Sequence, residues 1–184
     1  MTVFITSDWH FCHDKDFVWQ KRGFSSVGEM NIELLNRFNS VVKPEDEVYF
    51  LGDAMLNDNE TALGFISQMN GHKHWIWGNH DSPTRREQLG KIPNSTVEGL
   101  ACVERINGFI FYMSHYPTLT TNYDDDKPLK SRVLNLAGHT HSTEIWDKNS
   151  PWTYNVAVDA HDCYPVAIEE VIGAYRKKVA DSKN

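Results

Sequence analysis

The chain has 184 residues, 40% hydrophobic and 12% aromatic, which suffices for a buried core without staples and argues against disorder. A net charge of −7 argues against a protein that grips long nucleic acid through its phosphates, since that binding needs a Lys/Arg surface. It leaves a phosphorylated small molecule open as a partner.

Cys12, Cys102 and Cys163 show no paired spacing, the N-terminus has no basic leader, and no apolar run is long enough for a membrane span. The expectation is a cytoplasmic protein with no membrane association, forming a single domain over residues 1–184.

In chain order, Val3–Thr6 reads as a buried strand that ends in the polar Ser7-Asp8-Trp9-His10. Ser26, with Glu29 three positions on, caps a helix over 30–41 whose apolar residues Met30, Leu34, Leu35 and Phe38 recur at helical spacing. Glu47–Leu51 is the next strand and runs into Gly52-Asp53. A helix follows around Leu63, Phe65, Ile66 and Met69, and a third strand over 74–77 ends at Gly78-Asn79-His80-Asp81. Pro83 fits a first helical turn.

The second half reads as strands: Ala101–Ile106, Phe109–Ser114, Val133–Ala137, 144–146 and 153–158, with Asn107-Gly108 as a hairpin turn. Residues 116–130 form a polar loop containing Asp124, Asp125 and Asp126, and an amphipathic helix occupies 168–179. Alternating strands and helices followed by a strand-rich half predict an α/β layered sandwich of two sheets.

The ligand-type residues fall at the strand ends. Asp8, His10, Asp53, Asn79, His80, His115, His139 and His141 each follow an apolar run, and strand ends of open α/β sheets converge on one crevice. Carboxylate, imidazole and amide oxygen suit borderline divalent cations, and without clustered cysteine a structural zinc site is disfavoured. Asp53 is placed to bridge two cations, the arrangement that activates a shared water and clamps a phosphoryl oxygen.

These blocks, Asp8-x-His10, Gly52-Asp53, Gly78-Asn79-His80-Asp81, Ser114-His115 and Gly138-His139-Thr140-His141, resemble the calcineurin-like metallophosphoesterases, in the family's order. Asp8-Trp9-His10-Phe11-Cys12-His13 and Phe24-Ser25-Ser26 are similar to its short bacterial and phage-type members. The resemblance implies a four-layer α/β/β/α sandwich of two mixed sheets flanked by helices.

It also implies a centre of two divalent ions, with Mn²⁺ the first choice and Fe, Zn²⁺, Ni²⁺ or Co²⁺ accepted by the same donors. Asp8, His10 and His141 would hold one ion, Asn79, His115 and His139 the other, and Asp53 would bridge them. A metal-bridging hydroxide would attack a phosphomonoester or phosphodiester, a nucleotide or cyclic nucleotide among the candidates. His80 would protonate the leaving group, oriented by Asp81.

His13 and Arg22 are candidates for substrate contact, Arg22 because a guanidinium clamps phosphate bidentately. Arg85, Arg86 and Lys130 are weaker candidates for the same role. Trp9, Phe11 and Tyr116 could stack on a base or only shape the site. Cys12 reads as packing, His72 and His74 as structural residues preceding a strand, and His161 and Cys163 as turn residues. Trp146, Trp152 and Tyr154 hint at an interface, with oligomeric state open. The competing readings are a scaffold that keeps the fold without catalysis, and a nuclease acting on nucleic acid.

Overall fold

The computed structural model describes residues 1–118 and 127–182. Runs rich in β-branched and aromatic residues build its first sheet. Strands β1 (Val3–Thr6), β2 (Glu47–Leu51), β3 (His72–Ile76) and β4 (Ser95–Gly99) run parallel in the order β4-β3-β2-β1. The short β9 (Val166–Ala167) closes the β1 edge antiparallel. The second sheet holds β5 (Ala101–Ile106), β6 (Phe109–Ser114), β7 (Val133–Ala137) and β8 (Thr153–Asn155), with β5 antiparallel to β6 and the others parallel. Both sheets are therefore mixed, as expected from the sequence.

Strand alternation divides the core in two. Phe4, Val48, Phe50 and Trp75 face α2 (Val27–Val41) and α3 (Asn59–Ile66), meeting Met30, Leu34, Phe38, Ala62 and Ile66. Ile5, Tyr49, Leu51 and Ile76 instead meet Phe109, Phe111, Met113, Leu134 and Leu136 of the second sheet. Helix α5 (Ile168–Asp181) joins this inter-sheet core through Val171, Ile172 and Tyr175, and the Tyr175 hydroxyl donates to the carbonyls of Asn135 and Trp152.

Helices α2 and α4 (Pro83–Gly90) begin with side-chain caps. Ser26 accepts from the Glu29 amide at 3.1 Å, and Ser82 caps α4, whose first turn contains Pro83. No helix among the described residues is long and apolar enough to cross a membrane.

Several elements depart from expectation, among them α1 (Asp16–Trp19), β4 and β9, which the sequence reading did not mark. Residues 144–146 form no strand, only an isolated bridge from Trp146 to Tyr154, and Val158 enters a 3-10 turn instead of extending β8. His72 and His74 lie inside β3. There His74 bridges Glu47 and Glu98 at 2.6 and 2.8 Å, so it is structural as read. Tyr154 is buried, while Trp146 and Trp152 pack partly into the core under the Lys178 ammonium and stay part-exposed. Asp124, Asp125 and Asp126 lie outside the described residues.

Candidate metal centre

The loops after the strands depend on unusual backbone. Asp8, His10, Asp53, His139 and His141 all have φ between +48° and +71°, a region that costs a non-glycine residue about 1–3 kcal/mol. Tight loop-to-loop bonding holds them there. The Asp8 amide donates to the Gly52 carbonyl at 3.1 Å, the His10 amide to the Asp53 carbonyl at 3.0 Å, and the His139 amide to Asp8 Oδ2 at 2.8 Å. Glycines permit the approach: a Cβ on Gly78 would collide with the Asp53 carboxylate, and one on Gly138 with Ser7 and Asp8.

Seven predicted donors converge. His10 Nε2 lies 3.9 Å from Asp8 Oδ1 and 3.7 Å from Asp53 Oδ2, and His141 Nε2 lies 3.7 Å from Asp8 Oδ1. On the other side of Asp53, His115 Nε2 stands 3.4 Å from Oδ2, 2.9 Å from Asn79 Oδ1 and 3.2 Å from His139 Nδ1. Asp8, His10 and His141 form one compact donor group, and Asp8, Asp53 and His115 a second.

Proton placement decides what these groups can bind. His115 Nδ1 lies 2.8 Å from the Leu51 carbonyl, which can only accept, so Nδ1 carries the proton. In its neutral form the ring turns its Nε2 lone pair toward the Asn79 and Asp53 oxygens, which are also acceptors. His141 behaves likewise: Nδ1 donates to Asp159 Oδ2 at 2.9 Å, leaving Nε2 aimed at Asp8. Buried Asp8 Oδ1 and both ring nitrogens of His10 have no hydrogen-bond partner. Carboxylate, amide and imidazole donors crowded together with bonding capacity unmet are a set that fits divalent metals.

The electrostatics agree. Burial raises the Asp8 pKa although His115 and His141 pull it down, and burial holds His10 and His139 below the ordinary imidazole range. Neutral imidazole is the form that binds a metal.

Asp159 is a residue of this cluster that the sequence reading did not single out. Arg22 donates to it through Nε and Nη2 at 3.1 and 3.0 Å, and spends its other donors on the carbonyls of Asp8 and Trp9 at 2.7 and 2.9 Å. Burial alone would raise the Asp159 pKa, but the His141 bond and the Arg22 charge hold it far below the carboxylate range. Arg22 is thus a buried structural cation bracing the Asp8 loop, which corrects its reading as a phosphate clamp.

His80 is exposed, its ring 5.4 Å edge-on from His10, and its amide donates to Asp53 Oδ1 at 2.9 Å. Asp81 does not orient that ring as predicted. Its buried Oδ2 accepts from the amides of Gly78 and Asp53 at 2.7 and 2.9 Å, so it ties the second and third loops together. His13 does reach the site, with ring centroids 5.1 Å from His10 and 6.4 Å from His80.

Tyr116 packs edge-on against His139 and His115, whereas Trp9 and Phe11 are fully buried and unavailable for stacking on a base. Cys12 is buried beside Asn31, and His161 bonds the Asn155 carbonyl within a turn. Arg85 and Arg86 donate to the carbonyls of His80 and Asp81, and Lys130 lies over Phe109.

Comparison with known proteins agrees with this fold. An uncharacterized protein of Methanocaldococcus jannaschii is 29% identical over 183 residues, covering 95% of this chain and 92% of its own. A protein of unknown function from Aquifex aeolicus shares the fold with a TM-score of 0.69 at 23% identity, over 94% of this chain and 98% of its own. An archaeal phosphodiesterase shares it with a TM-score of 0.51 at 16% identity, over 84% and 82%. The family model for the calcineurin-like phosphoesterase superfamily domain matches residues 1–156, which contain all seven converging donors and His80, and the chain belongs to that family.

Proposed function

We propose that the chain hydrolyses phosphoric esters of small molecules with two divalent cations, Mn²⁺ first among them. Asp8, His10 and His141 would hold one, Asn79, His115 and His139 the other, and Asp53 both. Bound there, the cations would supply an activated water and charge neutralisation at the phosphoryl oxygens. The observation that carries this reading is Asp53 Oδ2 between His10 Nε2 at 3.7 Å and His115 Nε2 at 3.4 Å.

The chain's own groups do the rest. His80, free in solvent beside this cluster, delivers a proton to the leaving oxygen. Asp159 keeps the His141 proton on Nδ1, and Asp81 fixes the two loops that present Asp53 and Asn79. The fold shared with an archaeal phosphodiesterase supports the ester class.

The test is a panel of matched aryl mono- and diesters, nucleotides and cyclic nucleotides, assayed with several metals. Metal-dependent turnover that disappears in Asp53→Asn is expected. No hydrolysis of any ester under any metal would instead favour the scaffold reading.

A further inference from the structure

A cavity of about 560 Å³ opens beside the donor cluster, within the size range of small-molecule sites. His10, His80 and His141 form its inner wall, and His13, Phe17 and Lys21 its outer wall. The outer wall comes from the short helix α1 (Asp16–Trp19) and the residues around it. Val18 is buried in the core and pins this helix down. Its neighbour Phe17 is 70% exposed, a large ring that the core does not use.

The rings form a row from Phe17 to the donors. Phe17 meets His13 edge-on at 5.9 Å, and His13 lies 5.1 Å from His10 and 6.4 Å from His80. His13 Nδ1 has no hydrogen-bond partner. Lys21 places its ammonium on the His141 carbonyl at 2.7 Å, a positive charge at the cavity rim of an acidic protein. The cavity's carboxylate, Asp159, is already engaged by Arg22 and His141. What remains for a ligand is a row of rings and a cation.

His80 fixes which part of a substrate this cavity receives. In the proposed function, on which this inference rests, His80 protonates the leaving oxygen, so the space it lines takes the leaving group. We propose that Phe17 is a stacking platform for the base of a nucleoside leaving group, making the substrate a nucleoside phosphoester. The P–O bond to the nucleoside breaks as a water oxygen bonds to phosphorus. His80 gives its proton to the leaving oxygen and is reprotonated by the one the attacking water sheds, so a monoester yields nucleoside and phosphate and a diester yields nucleoside and a phosphomonoester.

Base–aromatic stacking contributes about 1–3 kcal/mol per base, so its loss is roughly a tenfold effect or more. The experiment compares wild type, Phe17→Ala and Phe17→Trp in the Mn²⁺-loaded protein. The readouts are the kcat/KM ratio of AMP over glycerol phosphate, or of adenylyl-adenosine over glycerophosphoglycerol if only diesters turn over, and the Kd of adenosine by calorimetry. The expected result is a selectivity ratio lowered about tenfold or more in Phe17→Ala and retained in Phe17→Trp, with weakened adenosine binding in the alanine variant alone.

An unchanged ratio in Phe17→Ala with turnover intact overturns the platform and leaves the phosphoesterase reading standing. If wild type hydrolyses no ester, that reading fails, and adenosine binding decides the platform. Adenosine bound by wild type and lost in Phe17→Ala supports it; no binding, or equal binding, overturns it.

Discussion

Asp159 accepts the Nδ1 proton of His141 at 2.9 Å while Arg22 holds its two oxygens from the other side. This relay sets which nitrogen of His141 faces Asp8. Partners of this kind change metal affinity by roughly 10- to 100-fold. Asp159→Asn is expected to lower Mn²⁺ affinity within that range in a folded protein, read by calorimetric titration. Asp159→Ala also leaves Arg22 unpaired in a buried site and should lose about 3–5 kcal/mol of stability in denaturant melts. Unchanged Mn²⁺ affinity in Asp159→Asn would remove the relay from the account.

Gly78→Ala tests the close packing of the loops. The added methyl meets the Asp53 carboxylate and backbone, and overpacking of this kind costs about 1–3 kcal/mol. Reduced thermal stability together with lower metal content by mass spectrometry is expected. Wild-type values for both would show that Asp53 has room to shift.

Proton competition gives a pH prediction. Burial works to lower the His141 pKa, but the Asp159 bond and the Asp8 charge outweigh it and hold it above the ordinary imidazole value. Below that raised value the ring is protonated and a cation must displace the proton, so metal affinity falls as pH falls. In the metal-free fold the sign reverses. The raised pKa stabilises the protein below the unfolded imidazole value, and the contribution is lost as pH rises through the folded one. Mn²⁺ titrations at about pH 6.5 and pH 8.5 in buffers of different ionisation heat should show more proton release at the lower pH. Equal release would contradict this assignment.

His80→Ala separates the proposed acid from the donors. Metal content should stay at the wild-type level while turnover falls roughly 10²–10⁴-fold on esters with poor leaving groups, and less on nitrophenyl esters. Full activity on alkyl esters would rule out His80 as the acid.

Much of this arrangement is legible in the sequence because the donors sit at the ends of strands with strong local signals. Glu47–Leu51 and Val133–Ala137 are apolar runs whose burial matches their composition, and Asp53 and His139 follow them closely. The edge strand Ser95–Gly99 is polar and half exposed, so no pattern marks it. The four-residue helix carrying Phe17 is too short for a period. Asp159 reaches its role through Arg22, 137 positions away, and His141, 18 away; no local feature of the chain encodes either contact. Arg22 and Asp81 fit the site by residue type, but Arg22 is held by Asp159, and Asp81 Oδ2 by the amides of Gly78 and Asp53.

The most direct measurement is an anomalous difference map from Mn²⁺-soaked crystals. The account predicts two peaks ~3.5–4 Å apart, one bounded by Asp8, His10 and His141, the other by Asn79, His115 and His139, with the Asp53 carboxylate touching both. A single peak, or peaks away from Asp53, would contradict it.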